Sequence, residues 1–273
     1  MKRYNSLKSA VLSYAAAMLV GLVLTGCGSV PLTGRKQMLL VSDQEVYQAG
    51  LTQYNDYIAK SELSKDAKTT AMVKSVGQKL ADATEKYLRA NGFESEIANL
   101  KWEFNLVKNN EVNAFCMPGG KIVVYEGLFA VAQNEAELAV VLGHEIGHAV
   151  AKHSNERMSQ QILTQYGAAI LQQALSQKSA AVQTVAVNVF GLGAQVGMML
   201  PYSRKHEYEA DYMGIVFMEM AGYDSQSAVE FWSKMSAGGG NTNDFLSTHP
   251  SDAKRIANIK ARMAEAKQIA AQL

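Results

Sequence analysis

The stretch Leu142-Gly143-His144-Glu145-Ile146-Gly147-His148-Ala149-Val150 constrains this chain more than any other. Histidines four residues apart share one face of an α-helix, where both imidazoles reach one metal ion, and the glutamate after the first stands beside that metal's open position. This is the HExxH pattern of zinc hydrolases. It demands a helix, and the surroundings supply one. Asn134 with Glu137 three positions on reads as an N-cap and its capping-box partner, and no proline interrupts Glu135 to Glu156. At helical spacing, Leu138, Leu142, Ile146 and Val150 form one stripe, with Val140, His144 and His148 nearly opposite. The helix is therefore expected to pack on one side and offer ligands on the other. Gly143 and Gly147 each cost about 1 kcal/mol relative to alanine in a helix. Their place beside the histidines points to a backbone or a substrate passing close by.

Two histidines do not complete a catalytic site. A metzincin carries a glycine and a third histidine three and six residues beyond the motif, where this chain has Ala151 and Ser154, so that class is excluded. His153, nine residues after His144, lies about 180° round a continued helix and is expected to point away from the metal, in a supporting role. The run Ser203-Arg204-Lys205-His206-Glu207-Tyr208-Glu209-Ala210-Asp211 serves better. Its Glu207 and Asp211 are i,i+4 on one face, giving one carboxylate for the metal and one for the free nitrogen of a metal-bound histidine. A set of two histidines, one glutamate and water is catalytic in kind, because a structural site fills its fourth position with protein.

Ahead of the motif, Lys101 to Val107 alternates apolar and polar residues and Lys121 to Tyr125 is a second β-rich run. Between them, Asn110 to Gly120 reads as a loop or irregular edge. An edge strand beside a zinc cleft binds extended peptide by β-augmentation.

Together, Asn113-Ala114-Phe115 with Pro118-Gly119-Gly120, Gly127-Leu128, His144 to His148, Glu207 through Asp211, and His249-Pro250 ending in Arg255 resemble peptidase family M48. The likeness is to its HtpX-like and CAAX-prenyl-protease-like gluzincins, above all the lipoprotein or periplasmic branch, and runs from about Asp43 to Arg255. It implies one zinc ion per chain on His144, His148 and Glu207, with Glu145 as general base and Asp211 supporting a ligand. Substrate would lie along Asn113, Ala114 and Phe115. His249 is a further candidate catalytic residue, either as a fourth ligand that holds the enzyme shut or as an oxyanion donor. His206 and Tyr202 are the other candidate donors. The fold expected is a mainly helical α+β zincin with a small β-sheet preceding the HExxH helix.

The remaining chain bears on location. Lys2, Arg3 and Lys8 precede an apolar run from Val11 to Leu24 that is short for a membrane span and ends Leu24-Thr25-Gly26-Cys27. Residues 1–26 are expected to be a lipoprotein signal peptide, Cys27 the lipidated residue, 27–41 a tether and 42–273 the metallopeptidase domain. Losing 1–26 removes those three basic residues and no acidic one, shifting the formal net charge from +1 to about −2. Nucleic-acid binding gains no support. With Cys27 acylated, only Cys116 remains as a thiol, so no intrachain disulfide is available and burial is its expected protection. Helices are expected over Ser42 to Ile58, Lys65 to Ala90, Ala228 to Met235 and from Ser251 or Asp252 onward. Ala181 to Leu200 carries no formal charge, but Gln183, Asn188, Gln195 and three glycines favour helices packed on the core over a membrane span.

These features point to a zinc-dependent endopeptidase lipid-anchored in a bacterial envelope, facing the periplasm from the outer membrane. Its partners would be exposed or misfolded protein segments and the envelope assembly machinery. The competing class is a non-proteolytic, chaperone-like assembly factor for outer-membrane proteins. An intact Glu145 weighs against that class, since a structural site has no need of a base.

Overall fold

Capping chemistry sets the element boundaries in the computed structural model of the chain, which describes residues 27–162, 203–237, 243–249 and 253–273. A short hairpin, β1 (Cys27–Ser29) paired antiparallel with β2 (Lys36–Met38), comes first. Ser42 accepts from the Glu45 amide while the Glu45 carboxylate takes the Ser42 amide, a complete capping box that opens α1 (Asp43–Lys60). Asp66 caps α2 (Ala67–Ala90) at the Thr69 amide, and Gly92, at φ +77°, follows its end.

After the single turn of α3 (Glu94–Ile97) come β3 (Glu103–Val107), β4 (Ala114–Met117) and β5 (Lys121–Tyr125). Their order is β3-β5-β4, with β3 parallel to β5 (Phe104 opposite Ile122) and β4 antiparallel to it (Phe115 opposite Val123). The stretch read as a loop or irregular edge thus holds the edge strand β4. All four of its residues are buried, so the alternation that signals a half-exposed strand is missing.

A 3-10 turn (Glu126–Ala130) leads to the motif helix α4 (Glu135–Val150), capped by Asn134 at the Glu137 amide. Residues 153–162 are helical (α5), followed among the described residues by α6 (Arg204–Met220), α7 (Gln226–Ala237), α8 (Asn243–Thr248) and α9 (Ala253–Ala271). α4 packs along α6 at the centre, with α2 and β4 against α4 and with α9 against α6. The protein is a mainly helical α+β zincin whose small sheet precedes the motif helix.

Four expectations change. α4 is buried on nearly every face, because α2, α6, α7 and the sheet enclose it, rather than packing on one side. Helical spacing in α1 predicts a buried stripe of Val46, Ala49, Gln53 and Tyr57, whereas the buried residues are Val46, Gly50 and Tyr54, since Gly50 lies against the Pro118 ring. The motif helix stops at Val150, where Lys152 takes φ +54°. A left-handed residue costs about 1–2 kcal/mol, here offset by ion pairs from Lys152 Nζ to Asp43 at 2.6 Å and to Glu96. Lastly, 27–41 is no free tether. Val30 and Gln37 are buried, Ser159 Oγ accepts from the Leu40 amide, and Asn155 donates to the Val41 carbonyl. Ala181 to Leu200 lies outside the described residues, among which no helix is long and apolar enough to cross a membrane.

Candidate metal centre

The site begins with how closely two helices approach. A Cβ on Gly147 would stand 2.6 Å from the Ala210 carbonyl oxygen, and one on Gly143 3.1 Å from that of Gly214. The two glycines therefore answer to a neighbouring backbone, that of α6. At this separation Glu207, one turn into α6, reaches both motif histidines. Its Oε2 is 3.3 Å from His144 Nε2 and its Oε1 is 3.3 Å from His148 Nε2.

His249, just past α8, completes the group. Its Nδ1 lies 3.1 Å from His144 Nε2 and 3.3 Å from Glu207 Oε1. One ligand atom from each of His144, His148, Glu207 and His249 falls within 4.8 Å of all the others, and all four residues are buried. His206 faces elsewhere, with its Nε2 3.1 Å from Glu156, and Tyr202 lies outside the described residues.

Whether a cation fits here follows from where the protons go. His144 Nδ1 meets Asp211 Oδ1 at 2.9 Å, and a carboxylate can only accept, so Nδ1 carries the proton and Nε2 presents a lone pair. His148 Nδ1 is occupied by His153 Nδ1 at 2.8 Å, leaving its Nε2 aimed 3.0 Å from that of His144. Glu207 Oε2, buried, has no partner in hydrogen-bond geometry despite its close nitrogen neighbours. Lone pairs converge, and a cation is what such a set accepts. The charge agrees. Burial and Arg255 push the His144 pKa down, yet Glu207 and Asp211 outweigh them and hold it up at about 9, so the site favours a positive charge and a metal ion would take the place of the proton on Nε2. The Arg255 guanidinium faces three carboxylates, those of Asp211, Glu207 and Glu145.

Arg255 is fully buried and braces the second layer. It donates to both Asp211 oxygens and brings its NH1 within 3.1 Å of Glu207, with its plane 3.4 Å above the Trp232 ring. Glu145 stands beside the ligand group without belonging to it. Its Oε1 lies 3.3 Å from His249 Nε2 without a hydrogen-bond partner, and burial, reinforced by Glu207, raises its pKa. A poised carboxylate beside a ligand set is the arrangement for accepting a proton there.

The other expected residues fall at the start of β4 and just before it. Asn113, Ala114 and Phe115 are buried, with the Phe115 ring against Tyr57 and Tyr125, so their side chains face the core rather than an open groove. Next to them is a small cleft of about 60 Å³ lined by Tyr47, Leu100, Met117, Pro118, His148 and Lys152. Cys116 is buried with its pKa pushed well up by burial, and has no place in the ligand set. His153 does support a ligand, but by turning back toward His148. The break at Lys152 voids the projection along a continuous helix.

Comparison with known proteins agrees with this centre. The chain is 38% identical over 179 residues to the mitochondrial metalloendopeptidase OMA1 of Arabidopsis thaliana, covering 65% of this chain and 35% of that protein. Against the Schizosaccharomyces pombe protein of the same name it is 35% identical over 182 residues, 63% of this chain and 50% of the other. The beta-barrel assembly-enhancing protease of Escherichia coli is 28% identical over 269 residues, 93% of this chain and 52% of its own length. The chain thus spans between about a third and a half of the length of these relatives. The profile of peptidase family M48 matches residues 67–263. That match takes in the motif histidines, Glu145, Glu207, Asp211, His249 and Arg255, and the chain belongs to peptidase family M48.

Proposed function

We propose that the chain is a zinc-dependent endopeptidase of a bacterial envelope, lipid-anchored through Cys27 and facing the periplasm from the outer membrane. Its substrates would be exposed or misfolded envelope protein segments. Relatives named as metalloendopeptidases and as a beta-barrel assembly-enhancing protease support this reading. The observation that carries it is Glu145, buried with an unpartnered oxygen next to four convergent ligand atoms. A scaffold that kept its metal for structure would have no use for a buried carboxylate oxygen left without a hydrogen bond there.

Zinc, when bound, supplies Lewis acidity toward the scissile carbonyl and makes water easier to deprotonate. The chain's own groups do the rest. His144, His148 and Glu207 would hold the ion, with Asp211 and Arg255 keeping His144 in the tautomer that leaves Nε2 free. Glu145 takes the proton from water at its Oε1 and passes it to the leaving amine. Substrate would enter along the cleft beside β4, pairing through backbone once that edge is uncovered. His249 lies between Glu145 and the ligand atoms, which favours the latch over the oxyanion role.

Casein digestion with mass spectrometry of the products tests the proposal. Glu145→Gln should abolish cleavage while zinc stays bound at one ion per chain. Undiminished cleavage by a metal-replete Glu145→Gln protein would refute it.

A further inference from the structure

A second cluster of buried titratable groups lies behind His148, apart from the ligand set and Glu145. The hairpin contributes Arg35 and Thr33. Arg35 Nε donates to Glu209 Oε2 at 2.7 Å, and its two terminal nitrogens donate to Glu156 at 2.9 and 2.7 Å. Thr33 Oγ1 donates to the other Glu209 oxygen. Glu209 Oε2 then meets His153 Nε2 at 2.9 Å, and His153 Nδ1 meets His148 Nδ1 at 2.8 Å.

The proton order along this chain is forced at both ends. Glu209 accepts only, so His153 carries its proton on Nε2 and offers a lone pair at Nδ1. His148 must then donate from Nδ1, which leaves its Nε2 deprotonated toward the metal. The other tautomer of His148 would set two lone pairs 2.8 Å apart and put a proton where a ligand electron pair is needed. His206 stacks on the His153 ring at 4.3 Å between centroids and joins Glu156, so the imidazole is held in plane as well as in register. His206 and Arg35 keep the Glu156 carboxyl down at about 2 despite burial.

We infer that the N-terminal hairpin positions a metal ligand: Arg35 and Thr33 fix Glu209, Glu209 fixes His153, and His153 fixes the tautomer and orientation of His148. Arg35 is a positioning residue, and it lies outside the part of the chain that the family profile matches. The inference rests on the metal-centre reading but not on proteolysis. Sequence spacing hides it, because Arg35 is 174 residues from Glu209 and 121 from Glu156.

The test is zinc affinity of the detergent-solubilised full chain, measured by competition with a chromophoric chelator. Partners beyond the ligand shell typically contribute 10- to 100-fold in metal affinity. His153→Ala should therefore bind zinc about 10- to 100-fold more weakly, and Arg35→Ala about 10-fold. Arg35→Ala made in the His153→Ala background should cost nothing further, since the relay is already cut. Thr33→Val, a near-isosteric change, should move affinity in the same direction and covers the case of an unfolded Arg35 variant. The visible d–d bands of the cobalt-substituted centre should shift in Arg35→Ala and stay put in Lys234→Ala, which breaks an ion pair elsewhere. Unchanged zinc affinity in both hairpin variants, or an equal loss from Arg35→Ala in the two backgrounds, overturns the inference. Failure of the unaltered chain to bind zinc overturns the metal centre and the inference together, whereas bound zinc with uncut casein touches only the protease reading.

Discussion

Glu207 and Glu209 are two residues apart on one helix, yet they serve opposite sides of it. Glu207 meets His144 and His148, and Glu209 meets His153, Thr33 and Arg35. Glu207→Ala should empty the site of zinc as isolated, because it removes a ligand. Glu209→Ala should retain zinc on isolation and show its loss, about 10- to 100-fold, only against a chelator. Metal analysis before and after chelator challenge separates the two, and the reverse pattern would exchange their roles. His249→Ala gives a signed prediction. If the imbedded imidazole is a latch, basal casein turnover rises, whereas loss of an oxyanion donor costs about 10²-fold or more in kcat. The ligands were legible in sequence because helical periodicity fixes i,i+4 pairs without knowledge of the fold. Arg255 entered only as the end of the family-like His249-Pro250 run and Trp232 not at all, since their approach to Asp211 and His144 depends on how α7 packs on α4 and α9 on α6. His153 was read through a helix that in fact ends at Val150, two residues before a left-handed lysine, Lys152, that no propensity announces.

Between elements, the α4–α6 spacing sets the ligand geometry. Alanine at either motif glycine gains about 1 kcal/mol of helix propensity. Against that, overpacking costs about 1–3 kcal/mol, and the clearance decides the sign. At Gly143 the added Cβ would meet Gly214 oxygen at 3.1 Å, a contact that a shift of a few tenths of an ångström relieves. At Gly147 it would meet Ala210 oxygen at 2.6 Å and Cα at 3.0 Å, both backbone, so the helices must part. Net of the propensity gain, Gly147→Ala should therefore lower thermal stability by up to about 2 kcal/mol and weaken zinc binding, while Gly143→Ala stays near neutral. Equal effects in thermal melts would show that helix spacing does not control the site. The sequence signal at these glycines was sound, because a costly residue at a helical position implies a close neighbour. The strand β4 and the docked hairpin gave no such signal. A fully buried edge strand lacks alternation, and a three-residue strand pair is stabilised by long-range contacts through Arg35 rather than by local propensity.

At the scale of the molecule, the hairpin joins the proposed point of attachment to the catalytic body. The Cys27 backbone already pairs with Met38, so an acyl chain on Cys27 would leave no slack between bilayer and domain. One acyl chain anchors only marginally, so firm attachment through Cys27 would take a second chain or a second signal. Cys27→Ala should accordingly release the protein from membranes or block its maturation, read by fractionation and palmitate labelling. Complete retention of the unlipidated variant would point to a different attachment. A second variant addresses why the attachment is so close. Ten Gly/Ser residues inserted directly after Cys27 span about 16–19 Å on average, enough to lift the domain off the surface without disturbing Arg35. Casein, which arrives from solution, should be cut at the wild-type rate by this variant. A peptide substrate tethered to the same vesicles should be cut differently, since the cleft beside β4 no longer stands at a fixed height above the lipid. If both substrates are cut as before, closeness to the membrane does not select substrate, and the docked hairpin serves the metal centre alone.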